Sequence, residues 1–205
     1  MITPHLRNGA CFSGMKIGLL GGSFNPAHDG HRAISLYALK QLGLNQIWWL
    51  VSPQNPLKST IDMAALDKRM RQAAHIAMHP HIAVTSIESQ LGTRYTVDTL
   101  RALKRRFPRA HFVWLMGTEN LQQVPRWKKW KDIFCMVPVA VFRRPDYACG
   151  HGLGKAAIRF GKARHPATAG KNLTRQSLPA WAILDNKFDY HSASKIRKDN
   201  PSWRL

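Results

Sequence analysis

The chain has 205 residues, 44% of them hydrophobic, with 31 Lys and Arg against 11 Asp and Glu, a formal net charge of +20 and a sequence pI near 10.7. That length carries one compact domain with a sizeable core, so disulfide staples are not needed, and the three cysteines, Cys11, Cys135 and Cys149, are too scattered to form a C-x-x-C site. No window approaches the length of a membrane span; a soluble cytoplasmic protein with reduced thiols is expected, and its positive field suits polyanions, either nucleic acid or small phosphorylated substrates.

In chain order, residues 1–14 lack the unbroken apolar core of a signal peptide and read as a disordered N-terminal arm, ahead of a single domain over 15–205. Short apolar runs predict strands at 16–20 (KIGLL), 46–51 (QIWWLV), 81–87 (HIAVTSI), 111–116 (HFVWLM), 138–142 (PVAVF) and 181–184 (WAIL). Between them, apolar positions at three-to-four spacing predict helices over 30–42, 62–78 and 96–107, the second with Thr60 or Asp62 as its cap. Strands that are almost wholly apolar belong to sheets covered on both faces, so the fold class is α/β with a doubly wound, mostly parallel sheet. Residues 143–179 break this rhythm with five glycines and many bases, and are expected to form a loosely packed basic insertion holding one helix, GKAAIRFGKA.

The chemistry concentrates in GGSFNPAHDGH, residues 21–31, where the first strand turns into the first helix. In a doubly wound fold that turn is where ligands bind, and glycines there let backbone approach a phosphate while helix-start amides donate to it. Neither a Walker A ending nor G-x-G-x-x-G is present. His28 and His31 have a structural reading, as a helix cap and a packed ring, and two functional ones, as phosphate contacts or metal ligands. Two histidines three apart with no third ligand nearby are a weak metal signal, so no protein metal site is expected. His75, His79 and His81 lack a partner motif and read as surface residues.

GGSFNPAHDGH resembles the H-x-G-H signature of the nucleotidyltransferase superfamily, and its longer form resembles the nicotinate-nucleotide adenylyltransferases. Further matches follow in order: SPQNPLK (52–58), RYTVDTL (94–100), WLMGTENL (114–121), WKKWKDI (127–133), RRPDY (143–147) and HSASKIRK (191–198). The resemblance implies a Rossmann-like nucleotidyltransferase fold and transfer of the adenylyl group of ATP to nicotinate mononucleotide, giving nicotinate adenine dinucleotide and pyrophosphate, with Mg2+ carried by ATP. It implies catalytic roles for His28, His31 and Arg197. ATP contacts would come from Gly22, Ser23, Phe24, Gly117, Glu119, Ser192, Ser194 and Ile196. Mononucleotide contacts, or contacts from the substrate side, would come from Lys58, Thr96, Trp127 and Arg144, with Trp127 facing the pyridine ring and Trp130 packed inside. No membrane and no obligatory nucleic acid are implied.

The chain departs from the family pattern at Glu119, where Asp is usual, at His191 and Ala193 in the last motif, and at Asp146, where glycine is common. Two alternatives stay open at this level. One is adenylyl transfer to another phosphorylated acceptor such as phosphopantetheine. The other is a nucleic-acid-binding protein, motivated by the +20 charge.

Overall fold

The computed structural model describes residues 9–53, 63–143 and 154–185. Among these, seven strands form one sheet: β1 (Lys16–Gly22), β2 (Gln46–Val51), β3 (Ile82–Thr85), β4 (His111–Gly117), β5 (Val139–Phe142), β6 (Arg164–His165) and β7 (Trp181–Leu184). They lie in the order β3-β2-β1-β4-β5-β7-β6, and all six pairings are parallel. Helices α1 (Asp29–Leu42), α2 (Leu66–Ala77), α3 (Ile87–Gln90), α4 (Thr96–Arg106), α5 (Thr118–Gln123), α6 (Trp130–Met136) and α7 (Lys155–Arg159) occupy the connections. The doubly wound parallel fold expected from the sequence is therefore the fold observed.

Alternation along each strand divides the core into two layers. Ile17, Leu19, Trp48, Leu50, Trp114, Met116, Val139 and Val141 meet Val97, Leu100 and Leu103 of α4 and Ile133 and Phe134 of α6. On the opposite face Leu20, Ile47, Trp49, Val51, Val113 and Leu115 meet Ile34, Ala38 and Leu42 of α1 and Met70, Ala73 and Ala77 of α2. Each fully buried side chain of this size stabilises the fold by about 1.5–3 kcal/mol, which is why both faces of the sheet can be apolar. α1 ends at Gly43, whose φ of 59° supplies the left-handed turn into β2.

Several elements differ from expectation. Of the expected arm, residues 9–14 are described and pack on the domain: Gly9–Phe12 form a 3-10 turn, Phe12 sets its ring edge against Trp48 and Phe107 at 5.1 and 5.5 Å, and the Gly14 amide donates to Arg109 O. α2 starts at Leu66 with Ala65 as its cap residue, so neither Thr60 nor Asp62, which lie outside the described residues, caps it. The predicted third strand stops at Thr85, because Ser86 is the cap residue of α3. The described part of the basic insertion is packed rather than loose. Ala156, Ala157, Phe160 and Leu173 are buried, Phe160 stacks on Phe134 at 4.6 Å, and Arg164–His165 extend the sheet beside β7. The predicted helix there is the short α7 followed by a 3-10 turn at Gly161–Ala163.

From β1 the order runs outward through β2 to β3, and from β4 outward through β5. The crevice of such a sheet opens beyond the carboxyl ends of β1 and β4, where the order reverses. Pairing between these two strands ends at Leu20 opposite Leu115, so Gly22 and Gly117, each two residues further on, close the strands level with one another.

Candidate active site

The turn after β1 is shaped by aromatic packing. A Cβ on Gly21 would stand 2.5 Å from Trp114 Cη2, so the visible reason for glycine at 21 is the indole lying across it rather than access for a phosphate. At Gly22 the ring of Phe24 fills the equivalent space, 3.4 Å from where a Cβ would sit. Phe24 holds a left-handed φ of 45°, a conformation that costs a non-glycine residue about 1–2 kcal/mol. Burial of its ring, stacked on Trp49 at 5.0 Å and 17°, offsets that cost by about 1.5–3 kcal/mol. Among the described residues, the Ser23 and Phe24 amides donate to no backbone acceptor, which leaves two adjacent donors at the crevice.

His28 is the cap residue of α1 and is buried, and His31 lies one turn on, half-buried. The backbone N–H of His28 donates to His31 Nδ1 at 3.3 Å, the return arm of a capping box. The His31 ring also packs on His28 at 3.9 Å and on Phe24 at 4.8 Å between centroids. The structural roles weighed for these histidines are thus both present, and one of them has a chemical consequence. An Nδ1 that accepts a hydrogen bond cannot carry the proton, so His31 is fixed as the Nε2–H tautomer, with a donor at the far edge of the ring.

At the other lip of the crevice Gly117 precedes α5, and Glu119 occupies its first turn. A side chain at Gly117 would run into the Glu119 carboxylate, which is therefore folded back over the Gly117 backbone. Thr96 opens α4, half-buried, and Trp127 follows a 3-10 turn with its indole edge-on to Trp114 at 6.4 Å. Lys128 joins these segments, pairing with Asp98 at 2.9 Å and covering the Tyr95 ring at 4.6 Å. Trp130 was expected inside; it is half-buried, edge-on to Phe134 and Phe160. Lys58, Arg144, Ser192, Ser194, Ile196 and Arg197 lie outside the described residues, as do Asp146, His191 and Ala193.

Two buried charged residues near the crevice were not anticipated. Arg69 of α2 is 1% exposed and donates to the carbonyls of Ser23, Ser52, Pro53 and Ala64 at 2.7, 2.7, 3.0 and 2.8 Å. Burial lowers its pKa from the usual arginine value, but a guanidinium remains charged in proteins. Glu88 of α3 is buried, which pushes its carboxyl above the usual range against the opposing effect of hydrogen bonds from Thr99 and Ser52. The sequence signal for Arg69 was its place on the buried stripe with Ala73 and Ala77, at i, i+4 and i+8. The donors of this turn are N–H groups, which suit phosphate oxygens better than a cation, and no group of three His, Cys, Asp or Glu comes together among the described residues.

A cytidylyltransferase-like family model matches residues 19–199. A protein of Parvibaculum lavamentivorans is 49% identical over 192 residues, covering 94% of this chain and 95% of its own, and one of Erythrobacter litoralis is 49% identical over 189 residues, covering 92% and 86%. Both carry the name "Probable nicotinate-nucleotide adenylyltransferase". The solved structure of Plasmodium falciparum nicotinic acid mononucleotide adenylyltransferase complexed with NaAD superposes with a TM-score of 0.67 at 15% identity, covering 90% of this chain and 83% of that one, a likeness of fold. With the crevice at the β1/β4 switch, the H-x-G-H turn in place and relatives at this identity over nearly their whole length, the chain belongs to the cytidylyltransferase-like family and, within it, to the nicotinate-nucleotide adenylyltransferases.

Proposed function

We infer that the chain transfers the adenylyl group of ATP to nicotinate mononucleotide, releasing pyrophosphate and forming nicotinate adenine dinucleotide, a step of NAD biosynthesis. The observation that carries this reading is the turn after β1, where two adjacent amides lacking a backbone acceptor and an imidazole held as its Nε2–H tautomer share the crevice. A phosphate oxygen of the mononucleotide attacks the α-phosphorus of ATP; that P–O bond forms as the bond to the β-phosphate oxygen breaks. The attacking oxygen is already anionic, so no protein nucleophile or general base is needed. The work left to the protein is positioning and neutralising developing charge.

In this scheme the Ser23 and Phe24 amides line the α-phosphate, and His31 donates from Nε2 as pyrophosphate leaves. His28 orders His31 through the capping bond and meets the phosphates beside it. Gly22, Gly117 and Glu119 flank ATP; Thr96 and Trp127 receive the pyridine mononucleotide, with the indole as a flat apolar face. Lys58, Arg144, Ser192, Ser194, Ile196 and Arg197 take the substrate contacts that the family motifs give them. A divalent ion, Mg2+ in this proposal, would sit on the triphosphate oxygens and supply further charge neutralisation. Cys11 and Cys135 are exposed free thiols, which suits a reducing cytoplasm.

The test is pyrophosphate release from purified protein, ATP, Mg2+ and nicotinate mononucleotide, with nicotinamide mononucleotide and phosphopantetheine as parallel acceptors. Release with nicotinate mononucleotide in large excess over the others is expected. A rate at background with that acceptor refutes the reading.

A further inference from the structure

Arg69 is a permanent cation placed where water cannot reach it, yet none of the ion pairs formed among the described residues involves it. Four of its N–H groups are directed instead at main-chain carbonyls, and those carbonyls come from three places. Ser23 O belongs to the turn after β1, Ser52 O and Pro53 O to the chain leaving β2, and Ala64 O to the approach to α2. Other bonds close the same knot. The Ser52 amide donates to Gly22 O at 2.9 Å, and the Ala64 amide donates to Asn25 Oδ1 at 3.2 Å, so the turn is tied on both sides to the segments Arg69 grips.

Planar guanidinium geometry explains why arginine holds this place. Its donors diverge in one rigid fork and can hold four carbonyls at fixed angles, whereas a lysine ammonium offers three donors from a point. A neutral amide offers two. The carbonyls solvate the cation without cancelling its charge, so the field it projects reaches the adjoining turn through a poorly screening interior.

We propose that Arg69 is a positioning residue for adenylyl transfer: it fixes the Ser23–Phe24 turn against the exits of β2 and the entry to α2, and sets an uncompensated positive charge behind the turn that receives anionic substrate. This rests on the reaction inferred above. Phosphate-bearing ligands gain from both effects, and a ligand without phosphates gains from neither.

The test compares wild type, Arg69→Lys and Arg69→Gln in the pyrophosphate assay, with melting temperatures measured on the same samples and rates taken well below each melt. Absence of wild-type turnover overturns the reaction itself. With an active wild type, the expected result is kcat reduced at least tenfold in both variants and KM for ATP raised at least threefold, with the Gln variant worse in KM because it lacks the charge. A merely structural role would lower the melting temperature and leave kcat and KM of the folded variants as in wild type, and that result overturns the assignment. Should neither variant fold, wild type labelled at arginine Nε decides. The Arg69 Nε–H, buried and bonded to Ala64 O, is expected as a slowly exchanging NMR signal that shifts with a non-hydrolysable ATP analogue and not with adenosine; an unmoved signal with the analogue overturns it.

Discussion

Replacing His31 separates its two bonds. In His31→Ala the His28 amide loses the Nδ1 acceptor 3.3 Å away, which removes about 1 kcal/mol of capping energy and, for a chain of this size, lowers the melting temperature by about 2–4 °C. The same change deletes the Nε2 donor, and losing one donor aimed at developing charge costs about 2.7–4 kcal/mol, or about 10²–10³-fold in kcat. His31→Glu restores the first effect only. A glutamate three residues into the helix reaches back to the cap amide, so the melt should return to within about 1 °C of wild type. Its carboxylate then faces the triphosphate, where two like charges about 4 Å apart at an effective dielectric near 20 repel by about 4 kcal/mol, so turnover should fall below that of the alanine variant. Thermal melts and initial-rate pyrophosphate assays on the three proteins give both quantities. If His31→Glu melts no higher than His31→Ala, or His31→Ala turns over within about threefold of wild type, the tautomer argument is wrong.

Other outcomes follow from neighbouring residues. Gly21→Ala brings a methyl to 2.5 Å from Trp114 Cη2 and should cost about 1–3 kcal/mol in urea unfolding; an unchanged midpoint would mean that the indole moves freely. Glu88 has its carboxyl pKa raised by burial, so the folded chain holds a proton that the unfolded chain releases, and the associated stability, full below the unfolded value near 4.3, is lost as pH rises through the folded value. Glu88→Gln should therefore gain on wild type as pH rises above the unfolded carboxyl range in urea titrations, and a pH-independent difference contradicts the assignment. Trp127→Ala should raise KM for nicotinate mononucleotide about five- to tenfold, the loss of a ring contact worth about 1–1.5 kcal/mol, with KM for ATP unchanged; equal effects on both substrates would place the indole elsewhere.

Much of this molecule can be read from sequence because its strands are short apolar runs with both faces covered, and six of them stand out on that ground. β6 does not, since Arg164–His165 carries no apolar signal and is a strand only because β7 lies beside it. α3, α5 and α6, of four, six and seven residues, are too short for helical periodicity to register. The H-x-G-H turn announced itself through residue type, whereas Thr96 and Trp127 were singled out by family motifs and not by local pattern. The fold of the Glu119 side chain over Gly117 depends on an absent Cβ two residues away. Arg69 sat in a helix rich in bases, where one guanidinium among several looks like solvated surface; its register with Ala73 and Ala77 turns it inward, and the carbonyls of Ser23, Ser52, Pro53 and Ala64 give it its role.

The brevity of the outer strands has a further effect. Among the described residues β3, at four residues, and β6, at two, border the sheet, and a passing unfolded chain would find few free main-chain groups along either to pair with. Arg164 and His165 add charge or polarity at one border, and the net charge of +20 keeps copies of the chain apart. A fold whose interior strands are nearly pure hydrocarbon is thereby guarded against edge-to-edge aggregation by the shortness of its borders.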